Sequence, residues 1–441
     1  MKGLLSVWVL GFVFCTLSYG NSRAETKEEV AIAAKDTLSY DILGSAANGR
    51  IVINDDVDLK GDVCRLPKGM TLLFRKGVIR NGTLIGSMTK IACTGKAFDK
   101  VTIKGSWNVP EISTRLFADL SYENSLRDVV ALAHSEVENR IVIKKGEYKV
   151  KAAKGSATCI SVCGNTDLIL NGTVRLAPND LKSCNVILAE GKNINITGKG
   201  TIIGDKHTHT GTEGEWGMGI RLHKAINATV SGLTIKDCWG DCIYVGGSSR
   251  NVLIEDCKLD NGRRQGISVT KASGVTIRNC TITNVSGTSP QYAIDVEPNL
   301  KDSIDDVLIE RVVVKDCEGG FMVTRRAQKK GAAVPWIGKV TIRDCKINSK
   351  SKYPVRVKRC EDMMIDKCIL NAPHGISAIK ITNVGRAVVN NNTLSVSYGM
   401  LDKIKIGLST LVGKGDEKPV DIRATRKKVV QSNRIQYKSS E

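Results

Sequence analysis

The chain has 441 residues, of which 65 are Lys or Arg and 45 Asp or Glu, giving a net charge of +20. With 41% hydrophobic and 25% charged residues it is neither a disordered tract nor a string of membrane spans. No nucleic-acid-binding motif accompanies the positive charge, so the expected partner is an acidic polysaccharide or another anionic surface, not nucleic acid.

Met1-Lys2, the apolar run Leu4 to Tyr19 and the small-x-small triplet Ser22-Arg-Ala24 read as a secretory signal peptide over residues 1–24. The expected destination is secreted, periplasmic or on the cell surface. No later stretch approaches the roughly 18 apolar residues of a transmembrane helix. Residues 25–115 have strand-and-turn rhythm, as in Thr71-Leu-Leu-Phe74 and Val101-Thr-Ile103, and are read as irregular first coils or a small β-rich prefix. Ser125 to His134 is the best helix in the chain, with Leu126, Val129, Val130 and Leu132 on one face and Asn124 or Ser125 as its cap.

Residues 116–400 are read as the main solenoid, and between Gly217 and Ala378 two short phrases alternate. The first reads Gly219-Ile-Arg-Leu222, Cys242-Ile-Tyr-Val245, Gly266-Ile-Ser-Val269, Ala293-Ile-Asp-Val296, Gly320-Phe-Met-Val323, Pro354-Val-Arg-Val357 and Gly375-Ile-Ser-Ala378. The second reads Val252-Leu-Ile254-Glu-Asp-Cys257, Val275-Thr-Ile277-Arg-Asn-Cys280, Val340-Thr-Ile342-Arg-Asp-Cys345 and Met363-Met-Ile365-Asp-Lys-Cys368. Period-two apolar phrases recurring every 20 to 35 residues or so predict stacked coils of short strands, a parallel β-helix. Its cysteines form a buried column and not a disulfide framework, although Cys238 with Cys242 and Cys159 with Cys163 are placed to pair. Residues 401–441 are read as a basic C-terminal segment.

If the second and fourth positions of the first phrase point inward, the third points out. The outward column is Arg221, Tyr244, Ser268, Asp295, Met322 and Arg356, flanked two residues on by His223, Gly246, Thr270, Glu297, Thr324 and Lys358. The turn residues Trp239, Asp241, Arg263 and Arg264 lie just upstream, and the insert Lys206 to Gly217, with His207, His209 and Trp216, interrupts the repeat. Arg221, Arg263 and Arg356 suit carboxylate binding, and Trp216 and Trp239 suit stacking on a sugar ring. Asp241, Asp295 and Glu297 are candidate Ca2+ ligands, while the two histidines of the insert are read as part of a polar loop.

A helix followed by Arg140-Ile-Val-Ile143 and Gly146-Glu-Tyr148 resembles the opening cap of the pectate-lyase-like right-handed parallel β-helix superfamily. That implies an all-β, right-handed solenoid with an N-terminal capping helix. Asp260-Asn-Gly-Arg-Arg264-Gln-Gly-Ile-Ser-Val269 resembles a coil of mannuronan C5-epimerases. Gly219-Ile-Arg221-Leu-His223 keeps the histidine of their catalytic phrase and has Arg221 in place of its acid, and Gly240-Asp241-Cys242 keeps one carboxylate of the polygalacturonase-like hydrolases. The leading expectation is a polysaccharide lyase that cleaves a uronic-acid-containing glycan by β-elimination, with His223, Tyr244, Arg264 and Asp295 as catalytic candidates. A glycoside hydrolase and a non-catalytic glycan-binding or adhesion solenoid are the alternatives.

Overall fold

A computed structural model describes residues 29–32, 49–299, 301–325, 336–373, 377–398 and 418–439. The proposed signal peptide and Gly375-Ile376 of the last repeat phrase lie outside the described residues. Every strand pairing among the described residues is parallel, and pairs link each coil to the next.

The strands fall into a 7-stranded sheet from Glu29 to Asn108, then an 11-stranded and a 20-stranded sheet that together form the main solenoid. Two faces of each coil belong to the large sheet, because long strands such as Trp216–Ser231 bend from one face to the next. One face carries Asp241–Gly246, Gln265–Val269, Tyr292–Val296, Gly319–Thr324 and Val355–Lys358. A second carries Ser249–Glu255, Ala272–Arg278, Ile304–Glu310 and Ile337–Arg343. The third is the ladder of short strands from Glu147–Val150 to Arg434–Ser439. The coils therefore continue into the stretch expected to be a basic tail, since Val420–Arg423 pairs with Ile379–Thr382 and Arg434–Ser439 with Thr393–Tyr398.

The bends explain the second phrase. After each Ile the chain turns through a residue with φ near +50°, Asp256, Asn279, Arg311, Asp344 and Lys367, and Asn and Asp tolerate this conformation better than most residues. At Cys257, Cys280, Cys345 and Cys368 the next side chain then tucks inward, and all four are no more than 1% exposed. The thiol column is as expected. All thirteen described cysteines are free, and Cys159 faces Cys184, Sγ to Sγ 3.8 Å, not Cys163.

The helix is shorter than its apolar stripe implied, Ser125–Val130. It lies between the N-terminal sheet and the first coils of the solenoid, and Asp128 Oδ1 accepts a hydrogen bond from Ile103 N at 3.0 Å. Asn124 does not cap it with its side chain, because Asn124 Oδ1 accepts instead from Lys151 N, 2.8 Å away.

Candidate active site

Strand register places the outward column as the repeat predicts. Arg221 pairs with Tyr244, Tyr244 with Ser268, Ser268 with Asp295, Asp295 with Met322 and Met322 with Arg356. These side chains share one face but form three separate neighbourhoods.

The first holds Arg221, His223 and Tyr244. Arg221 lies 5.4 Å over the Tyr244 ring, and Thr270 Oγ1 donates to Tyr244 Oη at 2.8 Å, which fixes the phenol. His223 stands two residues along from Arg221 and is 29% exposed, with Nδ1 3.8 Å from Glu190 Oε1. Burial, then the Arg221 charge, pushes the His223 imidazole below its ordinary pKa despite Glu190. Its room comes from Gly247 on the next coil, where a Cβ would lie 2.3 Å from His223 Cδ2. Thr270 and Gly246 stand in the flanking column read from the sequence, but Glu190 and Gly247 were not singled out; an adjacent pair of glycines beside a phrase otherwise ending in strand residues was the available signal.

The second neighbourhood is largely buried. Asp241 is 0% exposed, receives Arg264 Nη1 at 3.1 and 3.2 Å on its two oxygens, and accepts from Ser268 Oγ at 2.7 Å. Burial raises the pKa of Asp241 against the pull of Arg264. Burial also works against the Arg264 charge, but Asp241, Glu215 and Asp295 outweigh it and hold the guanidinium above its usual value. Gln265 Oε1 accepts from Tyr292 N at 2.6 Å, which turns its amide so that Nε2 donates to Asp295 Oδ2 at 2.7 Å. Asp295 is 3% exposed. Of the residues expected to be catalytic, Asp295 is thus buried beneath the groove, and Arg264 is partly buried with its guanidinium on Asp241.

This arrangement does not fit the expected Ca2+ site. A guanidinium and an amide NH2 already point at the carboxylates a cation would need, and among the described residues no three His, Cys, Asp or Glu side chains converge as ligands. The third neighbourhood is a cleft of about 310 Å3 lined by Ser289, Pro290, Glu297, Met322, Thr324, Arg325, Arg356 and Lys358.

The insert packs against the edge of the groove. His209 Nδ1 meets Asp205 Oδ2 at 2.7 Å with both side chains buried, and the His209 ring stacks on Trp239 at 3.9 Å. Arg263 lies 3.7 Å from the Trp239 ring and donates to Gly214 O at 3.1 Å. Two groups this close to one ring centre must occupy opposite faces, so Trp239 offers no open platform and Arg263 serves the loop. Trp216, by contrast, is 49% exposed. His207 meets Asp237 Oδ1 at 3.2 Å, so both histidines of the insert act as loop anchors, as expected of a polar loop.

Residues 142–301 match the family model described as the right handed beta helix region. The chain is a right-handed parallel β-helix protein. The SPbeta prophage-derived uncharacterized protein YorA of Bacillus subtilis (strain 168) is 30% identical to it over 164 residues, covering 31% of this β-helix chain. The match spans 28% of YorA's own length. Among solved structures, the A-module of the mannuronan C-5 epimerase AlgE6 from Azotobacter vinelandii is similar at 12% identity and a TM-score of 0.49, covering 73% of this chain and 97% of the module. A polygalacturonase from Erwinia carotovora is similar at 11% identity and a TM-score of 0.45, covering 76% and 97%. No helix among the described residues of the β-helix protein is long and apolar enough to cross a membrane.

Proposed function

We propose that this β-helix is an exported, carbohydrate-active protein whose outward groove binds a uronic-acid-containing polysaccharide and cleaves it by β-elimination. The observation that carries the reading is the first neighbourhood: a partly exposed histidine whose pKa is lowered by burial and by Arg221, with a guanidinium and a phenol on the same face in adjacent coils. Elimination needs those three groups. Arg221 binds the uronate carboxylate and so acidifies the C5 proton, since a planar guanidinium matches carboxylate geometry. His223 takes that proton at Nε2, the nitrogen turned away from Glu190. The C5–H electron pair forms the C4=C5 double bond, the C4–O bond breaks, and Tyr244 gives its proton to the departing glycosidic oxygen. Proton return from His223 to Tyr244 through solvent completes the cycle.

Hydrolysis through Asp241 and Asp295 is less well supported, because both carboxylates are buried under Arg264, Ser268 and Gln265. The test is incubation with a panel of polyuronates while following the ultraviolet absorbance of the unsaturated product. Wild-type protein should generate it, and His223→Ala or Tyr244→Phe should lose about 10²-fold or more of the rate with the fold intact. New reducing ends without absorbance would indicate hydrolysis, and binding without either would indicate an adhesion protein. The lowered pKa of His223 also sets a pH dependence. A base is active when unprotonated, so the acid limb of the rate profile should fall below the ordinary imidazole pKa of about 6.5 and move up toward it in Arg221→Ala.

A further inference from the structure

Arg356, Lys358 and Lys380 form a cluster at the far end of the groove from His223. Arg356 and Lys380 are register partners on adjacent strands, about 4.8 Å apart in backbone, and Lys358 lies two residues along from Arg356, about 7 Å away on the same face. Arg356 is exposed and the two lysines half-buried. Four neighbouring basic residues on the other faces have acidic partners: Arg343 with Glu310, Lys350 with Glu318, Arg386 with Asp362 and Arg426 with Glu361. The three groove cations have no carboxylate within 4.0 Å among the described residues; Lys380 Nζ instead donates to Tyr353 Oη at 3.2 Å and sits 4.5 Å over its ring. Three positive charges held this close repel one another; among the described residues Glu297 lines the cleft beside Arg356 and Lys358, and Asp421, the register partner of Lys380, is paired with Arg423, so the repulsion is only partly offset.

We infer that Arg356, Lys358 and Lys380 form a distal anion site for carboxylate or sulfate groups of a polyanionic glycan, separate from the Arg221–His223–Tyr244 cluster. Five register steps, Arg221 to Tyr244, Ser268, Asp295, Met322 and Arg356, put the two sites about 24 Å apart. Between them Tyr244, Ser268 and Asp295 are hydrogen-bonded locally and Met322 is apolar, so the column carries its cationic side chains at its two ends. A chain several sugars long is needed to bridge the sites, and bridging raises affinity by effective concentration without new contacts. The ionic-strength dependence of binding reports such contacts. This site rests on the glycan reading above but not on the reaction.

The test measures binding, by calorimetry at two salt concentrations, of the full chain to a polyuronate, a sulfated polysaccharide and an uncharged polysaccharide of similar length. The triple variant Arg356→Ala, Lys358→Ala, Lys380→Ala should bind the preferred polyanion at least tenfold more weakly and with a shallower salt dependence. The charge-conserving triple variant Arg356→Lys, Lys358→Arg, Lys380→Arg should bind within a few-fold of wild type, and matching circular dichroism spectra show that all three proteins are folded. Preference for the sulfated polymer, lost in the alanine variant, supports the site while removing the uronate reading. Polyuronate binding that depends on the cluster, without cleavage, supports the site while removing the lyase reading. Wild-type affinity in the alanine variant overturns the site and leaves the reaction standing, whereas wild-type protein that binds no polyanion overturns both.

Discussion

Gly247 shapes the proposed catalytic group without being one. Its φ of +66° already favours glycine, but the sharper constraint is steric, since a Cβ there would lie 2.3 Å from His223 Cδ2 and 2.6 Å from Nε2. Gly155 provides a matched control: its φ is +73°, and a Cβ would meet nothing within 4 Å. Both Gly→Ala changes should cost about 1–2 kcal/mol of stability from backbone strain alone. Only Gly247→Ala should also displace the imidazole, so polyuronate cleavage should drop in that variant and persist in Gly155→Ala at equal occupancy of the folded state. Equal loss in both would mean that strain, not the position of His223, controls the rate. Residues such as Gly247 escape a strand-by-strand reading because their role depends on a side chain 24 positions away in sequence.

At the scale of the strand and its bend, the first position of each repeat phrase follows a rule visible only in three dimensions. Gly219, Gly266 and Gly320 would each bring a Cβ within 2.6–2.7 Å of the Cγ2 of Ile235, Ile282 and Ile347 on the short-strand face. The coils between them carry Leu259 and Val314 at the equivalent short-strand position, and there the phrase begins with Cys242 and Ala293. Glycine thus appears where the facing side chain is isoleucine. Gly266→Ala should cost about 1–3 kcal/mol by overpacking. In a double-mutant cycle with Ile282→Ala, part of that cost should be recovered, because the added methyl occupies space the isoleucine vacated. Strict additivity in denaturant unfolding would show that the backbone contact with Ala293 O, 2.4 Å from the built Cβ, is the real barrier. The period-two alternation made the inward Ile and Val positions and the outward column legible, and every register pair along that column follows it. It did not reveal the Asp205–His209–Trp239–Arg263 stack, because an insert has no period and its partners come from separate coils. Nor could it show that Arg264 points onto Asp241 and not into the groove, since a turn residue's direction is set by the bend and not by alternation.

Across the whole molecule each coil touches its two neighbours, so stability is close to a sum of coil and interface contributions. On the second face, outward charges alternate down one column: Glu255 meets Arg278 at 2.7 Å and Glu310 meets Arg343 at 2.6 Å, tying coil to coil with partly buried carboxylates. The central coils have neighbours on both sides. The final described coil pairs on one side: Val420–Arg423 with Ile379–Thr382, Lys427–Gln431 with Arg386–Asn390, and Arg434–Ser439 with Thr393–Tyr398. Its Val430, Ile435 and Tyr437 are 46%, 38% and 61% exposed, so less apolar area is removed from water there than in any central coil. Native-state hydrogen exchange should therefore be graded along the axis. Amides of Gln265–Val269 and Tyr292–Val296 should open only with global unfolding, and those of Val420–Arg423 and Lys427–Gln431 should exchange orders of magnitude sooner through local opening. Protection at the end equal to that at the centre would require a further surface packed on the last coil, and would reject one-sided pairing as the state of the protein in solution.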